Sequence, residues 1–200
     1  MTKTVFLNIL LAAFLLPGQI LLPVRAENRH DFSIVQLTEI GKYGVVRKAR
    51  DKIPEHYHTG IDIKRPGNNY IDEPVYPIAR GVVISKRSDG PYANIIIEHE
   101  INGFRFWTLH EHISGIAVNV NDIADPHSPI ARFMNKEELN RYGWQFDHFH
   151  FEVLKVRPLA QKPDKKNEGR FFNSYSLMCF TPDDLNRYYF DPVEFLKGNL

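Results

Sequence analysis

His148-Phe149-His150-Phe151-Glu152-Val153 alternates polar and apolar side chains with a period of two. Successive side chains of a β-strand point to opposite faces, so the two histidines and the glutamate would share one face and the apolar residues the other. One face can pack in a core while the other presents imidazole groups. The stretch therefore predicts a strand that carries reactive side chains on one side.

A second motif, His58-Thr59-Gly60-Ile61-Asp62, lies far upstream. The spacing of His58 and Asp62 also suits one face of a helix, but Gly60 and the β-branched Ile61 and Ile63 favour an extended segment. Two imidazoles and a carboxylate offer zinc three ligands and leave a fourth position free, as a hydrolytic metal centre requires. Either motif alone fits histidines that merely pack or lie at the surface. Together they predict a zinc hydrolase.

The two motifs resemble those of the lysostaphin-type (LytM-type) zinc metallopeptidases, which cleave peptide cross-links in bacterial peptidoglycan. The similarity covers about residues 55–153 and keeps the motif order, with Pro74-Val75-Tyr76-Pro77 and Gly81-Val82-Val83 between the histidine motifs. The resemblance implies one zinc ion, Zn2+, with ligands His58, Asp62 and His150. It also implies that His148 is a catalytic histidine beside the metal.

The resemblance implies a further catalytic histidine at the end of a strand, followed by an apolar residue and, six positions on, by a valine. His112, with Ile113 and Val118, fits this pattern, and His110 occupies the place where the family usually has tyrosine. We expect His112 to be catalytic. His110 is expected either to support the site from behind or simply to pack.

A hairpin is predicted around these histidines from local chemistry. Two strand-like runs, 94–101 and 104–109, flank Asn102-Gly103, which is typical of a two-residue type I′ turn. Such a turn sets Glu100 opposite Arg105 and Ile95 opposite His110. His110 and His112 would then share one face of the strand, so that both could reach the site.

The whole chain is predicted to be mainly β, with an antiparallel sheet core of the lysostaphin/LytM type and short peripheral helices. Strands are expected at 43–46, 81–85, 94–101, 104–112 and 148–153. Helices are expected at 135–142 and after the proline-containing starts at Thr181 and Asp191. We expect one metallopeptidase domain over 27–200, with its motifs in about 55–153 and a C-terminal extension at 154–200. Residues 157–180 could form a lid over the site.

The amino-terminal residues 1–26 are predicted to be a secretory signal peptide. Lys3 precedes an apolar run, 5–16, and small residues stand in Val24-Arg25-Ala26 before Glu27. An uncleaved anchor is the alternative, because apolar residues resume at 20–24. The protein is therefore expected to be exported to the periplasm or cell envelope, with no stable membrane span after cleavage.

Removal of 1–26 leaves 23 basic and 24 acidic side chains, so the mature chain is close to neutral and no nucleic-acid partner is implied. Cys179 is the single cysteine and is expected to be a buried small apolar residue. Trp144, in a polar stretch before the His148 strand, is a candidate for substrate contact. The sequence leaves the oligomeric state open.

The function predicted from these features is a zinc endopeptidase that hydrolyses peptidoglycan cross-links between stem peptides. Water would attack the amide carbonyl, and His112 and His148 would handle protons or stabilise the oxyanion, in roles that stay unassigned. Two alternatives remain open. One is a non-catalytic LytM-like module that binds and activates a cell-wall amidase, and the other is a zinc carboxypeptidase that trims stem peptides.

Overall fold

The computed structural model describes residues 19–200. Residues 1–18 of the predicted signal peptide lie outside the described residues. Within residues 19–200, no helix is long and apolar enough to cross a membrane.

The described chain is mainly β, as predicted. The strands are β1 Val46–Arg47, β2 His56–Tyr57, β3 Ile61–Lys64, β4 Pro74–Val75, β5 Gly81–Arg87, β6 Asn94–Ile101, β7 Phe104–Glu111, β8 Ile113–Ser114, β9 Ile123–Ala124, β10 Ala131–Phe133, β11 His148–Leu154, β12 Leu159–Ala160, β13 Phe172–Asn173 and β14 Tyr189–Phe190. The α-helices are α1 Lys136–Tyr142, α2 Pro182–Tyr188 and α3 Pro192–Lys197, and short 3-10 helices lie at Phe32–Ile34, Gly90–Tyr92, Trp144–Phe146 and Ser176–Met178.

A seven-stranded antiparallel sheet organises the molecule. Its order is β14-β11-β7-β6-β5-β9, and β3 pairs with β11 beside this path. The β6–β7 hairpin has the predicted register, with Glu100 opposite Arg105 and Ile95 opposite His110. Asn102 and Gly103 both have positive φ, as a type I′ turn requires.

The helices begin where the sequence indicated. Asn135 caps α1 through a capping box with Glu138, Thr181 caps α2 in the same way, and Asp191 caps α3. Each helix lies outside the central sheet.

The predicted strand at 43–46 is not formed over its whole length. Gly44 has φ of 75° and interrupts the extended run, so that only β1 remains.

One face of the sheet packs on the main hydrophobic core. Apolar side chains of β11 that alternate with its histidines, Phe149, Phe151 and Val153, are fully buried there. The N-terminal segment reaches the same core, since Ile20, Leu22 and Val24 are at most 1% exposed. The predicted domain boundary at Glu27 leaves this segment out.

The opposite face of the sheet carries a second hydrophobic cluster, which the C-terminal extension completes. Leu109 and Leu154 of the sheet pack there with Leu185, Tyr189 and Cys179. Cys179 is a fully buried free cysteine, and burial raises the pKa of its thiol to about 12. Because these residues cover this face of the sheet, the C-terminal extension belongs to the hydrophobic core of the fold.

Candidate metal centre

The candidate centre lies where β3 runs beside β11. Their antiparallel register sets Asp62 directly opposite His150, so both side chains project from the same face. His58 approaches from the segment just before β3. Gly60 permits this approach, because a Cβ at that position would overlap the Phe151 carbonyl oxygen and lie 2.8 Å from His150 Cε1.

Three polar atoms converge in this buried place. Asp62 Oδ1 lies 3.1 Å from His58 Nε2 and 2.9 Å from His150 Nδ1, and the two ring nitrogens are 3.0 Å apart. All three residues are buried. They form the one group of at least three His, Cys, Asp or Glu side chains within residues 19–200 whose ligand atoms could hold a metal ion together.

In His58 and His150, the outer ring nitrogen, which faces away from the three converging atoms, shows where the proton lies, and therefore where the lone pair of the inner ring nitrogen points. His58 Nδ1 faces the Lys42 carbonyl oxygen at 2.9 Å, and His150 Nε2 faces Glu152 Oε1 at 3.1 Å. Both partners only accept hydrogen bonds, so each outer nitrogen carries the proton of a neutral ring. The inner nitrogens then have lone pairs directed at each other and at a carboxylate. Such a set of acceptors is stabilised by a positive charge between them, either a proton on an inner nitrogen or a metal ion, and two imidazoles with one carboxylate fit zinc.

Charges around the centre also favour a bound cation. Burial alone lowers the pKa of His150, but hydrogen bonds to Asp62 and Glu152 outweigh it and raise the pKa to about 10. Burial alone would raise the pKa of Asp62, yet hydrogen bonds with His150 and His58 hold it far below its usual range. The carboxylates thus stabilise positive charge at this point, either as a proton on His150 or as a metal ion.

His148 and His112 stand beside the three converging atoms. His148 Nε2 is 3.6 Å from Asp62 Oδ1, and its ring meets that of His112 at a centroid distance of 5.0 Å. Burial lowers the pKa of His148 to about 4 and also lowers that of His112, so both rings are neutral near pH 7. His112 Nδ1 donates to the Pro91 carbonyl oxygen at 2.6 Å. Its Nε2 is therefore the atom with a free lone pair.

His112 reaches the site through an unusual backbone conformation. Its φ is 63°, in the left-handed region that costs a non-glycine residue on the order of 1 kcal/mol or more. The strand β7 ends at Glu111, one residue earlier. The expectation that His110 and His112 share a strand face is therefore wrong, because the backbone turns between them.

His110 lies on the core face of the sheet. It is fully buried and stacks on Phe149 at 5.6 Å and 9° between ring planes. Burial lowers the pKa of His110 to about 3. It is a packed histidine on the side of the sheet opposite His150.

The aromatic side chains that contact the His112 ring are Phe146 and Tyr92, whereas Trp144, the candidate for substrate contact, packs against Tyr70. Trp144 is half exposed and packs edge-on against Tyr70 at 5.9 Å, while its indole donates to Asn140. Phe146, two residues later, contacts the His112 ring at 4.9 Å. Tyr92, in the connection between β5 and β6, contacts His112 at a ring-centroid distance of 5.6 Å. Phe146 and Tyr92 thus form an apolar wall beside His112.

Three polar residues support the centre without having been assigned a role from the sequence. Glu152 accepts from His150 and also from the Thr59 hydroxyl at 2.5 Å. The period-two alternation of β11 already placed Glu152 on the face of His150, and this was the available signal. Arg47 Nη2 donates to Asp62 Oδ2 at 2.8 Å, and no sequence pattern indicated it.

The fold and the site define the class of protein. A mainly antiparallel sheet with a buried His-Asp-His group on one face is the arrangement of the LytM-type peptidase fold. The chain belongs to peptidase family M23, whose model matches residues 56–164. The matched range contains all of the predicted metal ligands and both predicted catalytic histidines.

Solved structures with similarity to the chain include a zinc-containing peptidase from Vibrio cholerae. It is 26% identical, with a TM-score of 0.45 over 70% of this chain and 38% of that one. The chain therefore spans well under half the length of that peptidase. The structure of the SpoIIQ-SpoIIIAH pore-forming complex is 16% identical, with a TM-score of 0.42 over 84% of this chain and 96% of that one. No curated protein sequence matches the chain.

Proposed function

We propose that the protein is a zinc-dependent endopeptidase that hydrolyses peptide cross-links of bacterial peptidoglycan. One observation carries the proposal. Metal-ligating atoms of His58, Asp62 and His150 converge on one point, and two neutral histidines stand beside them. A module that only binds a partner has no need for this full set of groups. Membership of peptidase family M23 supports the same activity.

His58, Asp62 and His150 would hold the zinc ion. Zinc in such a site supplies Lewis acidity, which activates water near neutral pH and polarises an amide carbonyl. With Nδ1 tied to the Pro91 carbonyl, His112 presents Nε2 as a proton acceptor. His148 Nε2, close to Asp62, is placed to donate a hydrogen bond to the developing oxyanion or to pass a proton to the leaving amine.

The substrate would meet an apolar wall next to these groups. Phe146 and Tyr92 flank His112, and Trp144, two residues before Phe146, forms a second aromatic pair with Tyr70. Aromatic faces can pack against the aliphatic parts of a peptide or against sugar rings. We propose export to the cell envelope as the setting, on the signal-like pattern of residues 1–26.

The test is digestion of cross-linked peptidoglycan by the purified protein, read out by mass spectrometry of the fragments. Chelator should abolish the conversion of cross-linked dimers to monomers, and added zinc should restore it. The product masses identify the bond cleaved. Release of single terminal residues alone would indicate the carboxypeptidase instead, and intact fragments from zinc-loaded, folded protein would indicate the amidase-activating module.

Variants of the two histidines on β11 divide the roles. His150→Ala should lose both zinc and turnover, because it removes a ligand. His148→Ala should keep zinc and lose turnover. His127→Ala is the matched control, since His127 is exposed. Loss of zinc in both β11 variants would contradict the division.

A further inference from the structure

Arg47 makes a direct contact with the proposed metal ligand Asp62. Its Nη2 donates to Asp62 Oδ2 at 2.8 Å, and the side chains are only 19% and 6% exposed. Arg47 ends β1, which pairs with β2 in the register Arg47 opposite His56. The strand pair therefore fixes the arginine with respect to the segment that carries His58.

The two oxygens of Asp62 have separate partners. Oδ1 faces the histidines, at 2.9 Å from His150, 3.1 Å from His58 and 3.6 Å from His148. Oδ2 faces Arg47. An ionised carboxylate with both oxygens free can bind a metal through one oxygen or through both. A charge-assisted hydrogen bond on Oδ2 makes the second mode unfavourable.

Arg47 lies outside the part of the chain that the family model matches, residues 56–164. The segment that supplies it is held to the site by backbone hydrogen bonds, from His58 N to Val45 O and from Gly44 N to His58 O, at 2.8 and 2.9 Å. This upstream segment thus contacts the centre through its backbone, at His58, and through the Arg47 side chain, at Asp62.

We infer that Arg47 is a positioning residue for the metal centre, which holds Asp62 so that a single oxygen, Oδ1, faces the ion. The inference rests on the proposed function, because it takes the His-Asp-His group to be a zinc site. A catalytic zinc site keeps a position for water and substrate beside its three protein ligands, and a second bond from Asp62 next to that water would raise the coordination number from four to five.

Cobalt(II) tests the inference, since its visible absorption is strong in a four-coordinate site and weaker in a five-coordinate one. The full chain would be titrated with Co2+ alone, as wild type and as Arg47→Met, Arg47→Lys and Lys48→Met. Lys48 is exposed and one residue away, so Lys48→Met makes the same change in net charge without touching Asp62. Circular dichroism of the metal-free proteins confirms folding.

Wild type and Lys48→Met should show the strong absorption of a four-coordinate site. Arg47→Met should lose most of that intensity at saturating Co2+, because Asp62 is free to bind through both oxygens. Arg47→Lys, which keeps a cation near Oδ2, should recover part of it and covers the case in which Arg47→Met does not fold.

If folded Arg47→Met has the same cobalt spectrum as wild type, the positioning role is overturned while the metal centre stays in place. Absence of any cobalt absorption in wild type would instead contradict the proposed zinc site. The two failures are therefore distinguishable in one titration.

Discussion

Removal of residues 19–26 should destabilise the domain severely. Ile20, Leu22 and Val24 are almost completely buried in the main core. Burial of each such side chain contributes roughly 1.5–3 kcal/mol, so the three together contribute about 4.5–9 kcal/mol as an upper estimate. Typical domains unfold with about 5–15 kcal/mol.

Backbone and side-chain hydrogen bonds add to this figure. Leu21 N donates to Ile78 O at 2.8 Å, Tyr76 N donates to Pro23 O at 2.9 Å, and Arg29 Nε donates to Leu22 O at 2.7 Å. Deletion would leave the Ile78 carbonyl and the Tyr76 amide without these partners. Each hydrogen bond lost in this way costs about 0.5–1.5 kcal/mol, because the groups that the deletion uncovers bond to water instead.

Urea unfolding of fragments 19–200 and 27–200, followed by circular dichroism, measures the effect. The shorter fragment should lose at least half of the free energy of unfolding, or be unfolded without urea. Within 19–200, Leu22→Ala should cost about 2–5 kcal/mol, while Glu27→Ala at an exposed position should change little. Equal urea midpoints for the two fragments would refute the reasoning and would favour the predicted cleavage after Ala26. If the expected loss is found, any removal of a leader has to occur before Ile20.

Three further outcomes are expected. Glu152→Gln removes the charged acceptor of His150 Nε2. The dissociation constant for the metal should therefore rise about 10- to 100-fold, measured by competition with a chelating dye. An unchanged constant would show that Glu152 only packs. Gly60→Ala should destabilise the fold by about 1–3 kcal/mol and weaken metal binding, because its Cβ would overlap β11; normal thermal unfolding and metal content would contradict this. Burial lowers the pKa of His99 to about 4, so its stabilising contribution is complete above about pH 6.5 and is lost as the pH falls toward 4. His99→Gln should therefore reduce the loss of stability between pH 7 and pH 4.5 by about 2–3 kcal/mol in urea unfolding, and an equal loss in both proteins would count against a neutral buried His99.

Local periodicity was enough to predict the central sheet. The alternation of 148–153 and the Asn102-Gly103 turn each specify a face and a register, and the structure has both. These signals are local, because side-chain direction in a strand depends only on the parity of the position. They also put Asp62 and His150, two of the ligand candidates that the family resemblance implies, on strands that pair.

The sequence could not predict what depends on departures from regular geometry or on distant contacts. The parity argument failed at His112 because a single residue with positive φ reverses the facing of the chain. The contact between Arg47 and Asp62 was missed because no periodic pattern encodes it. By composition the apolar residues 20–24 fit a leader as well as a core segment, and their packing against distant parts of the chain is not encoded locally.

The shared core of the two ends of the described chain bears on when the protein can become reactive. Ile20 and Leu22 belong to the same buried cluster as Phe195 and Leu196 of α3. A ribosome or translocation pore that still holds α3 therefore holds back part of the core, and contacts between such distant residues form late in folding. Asp62 and His150, on the paired strands β3 and β11 that pack in this core, would then be fixed in place only after α3 has been released. Under the proposed function, a chain whose α3 is still held back would therefore not yet be an active hydrolase.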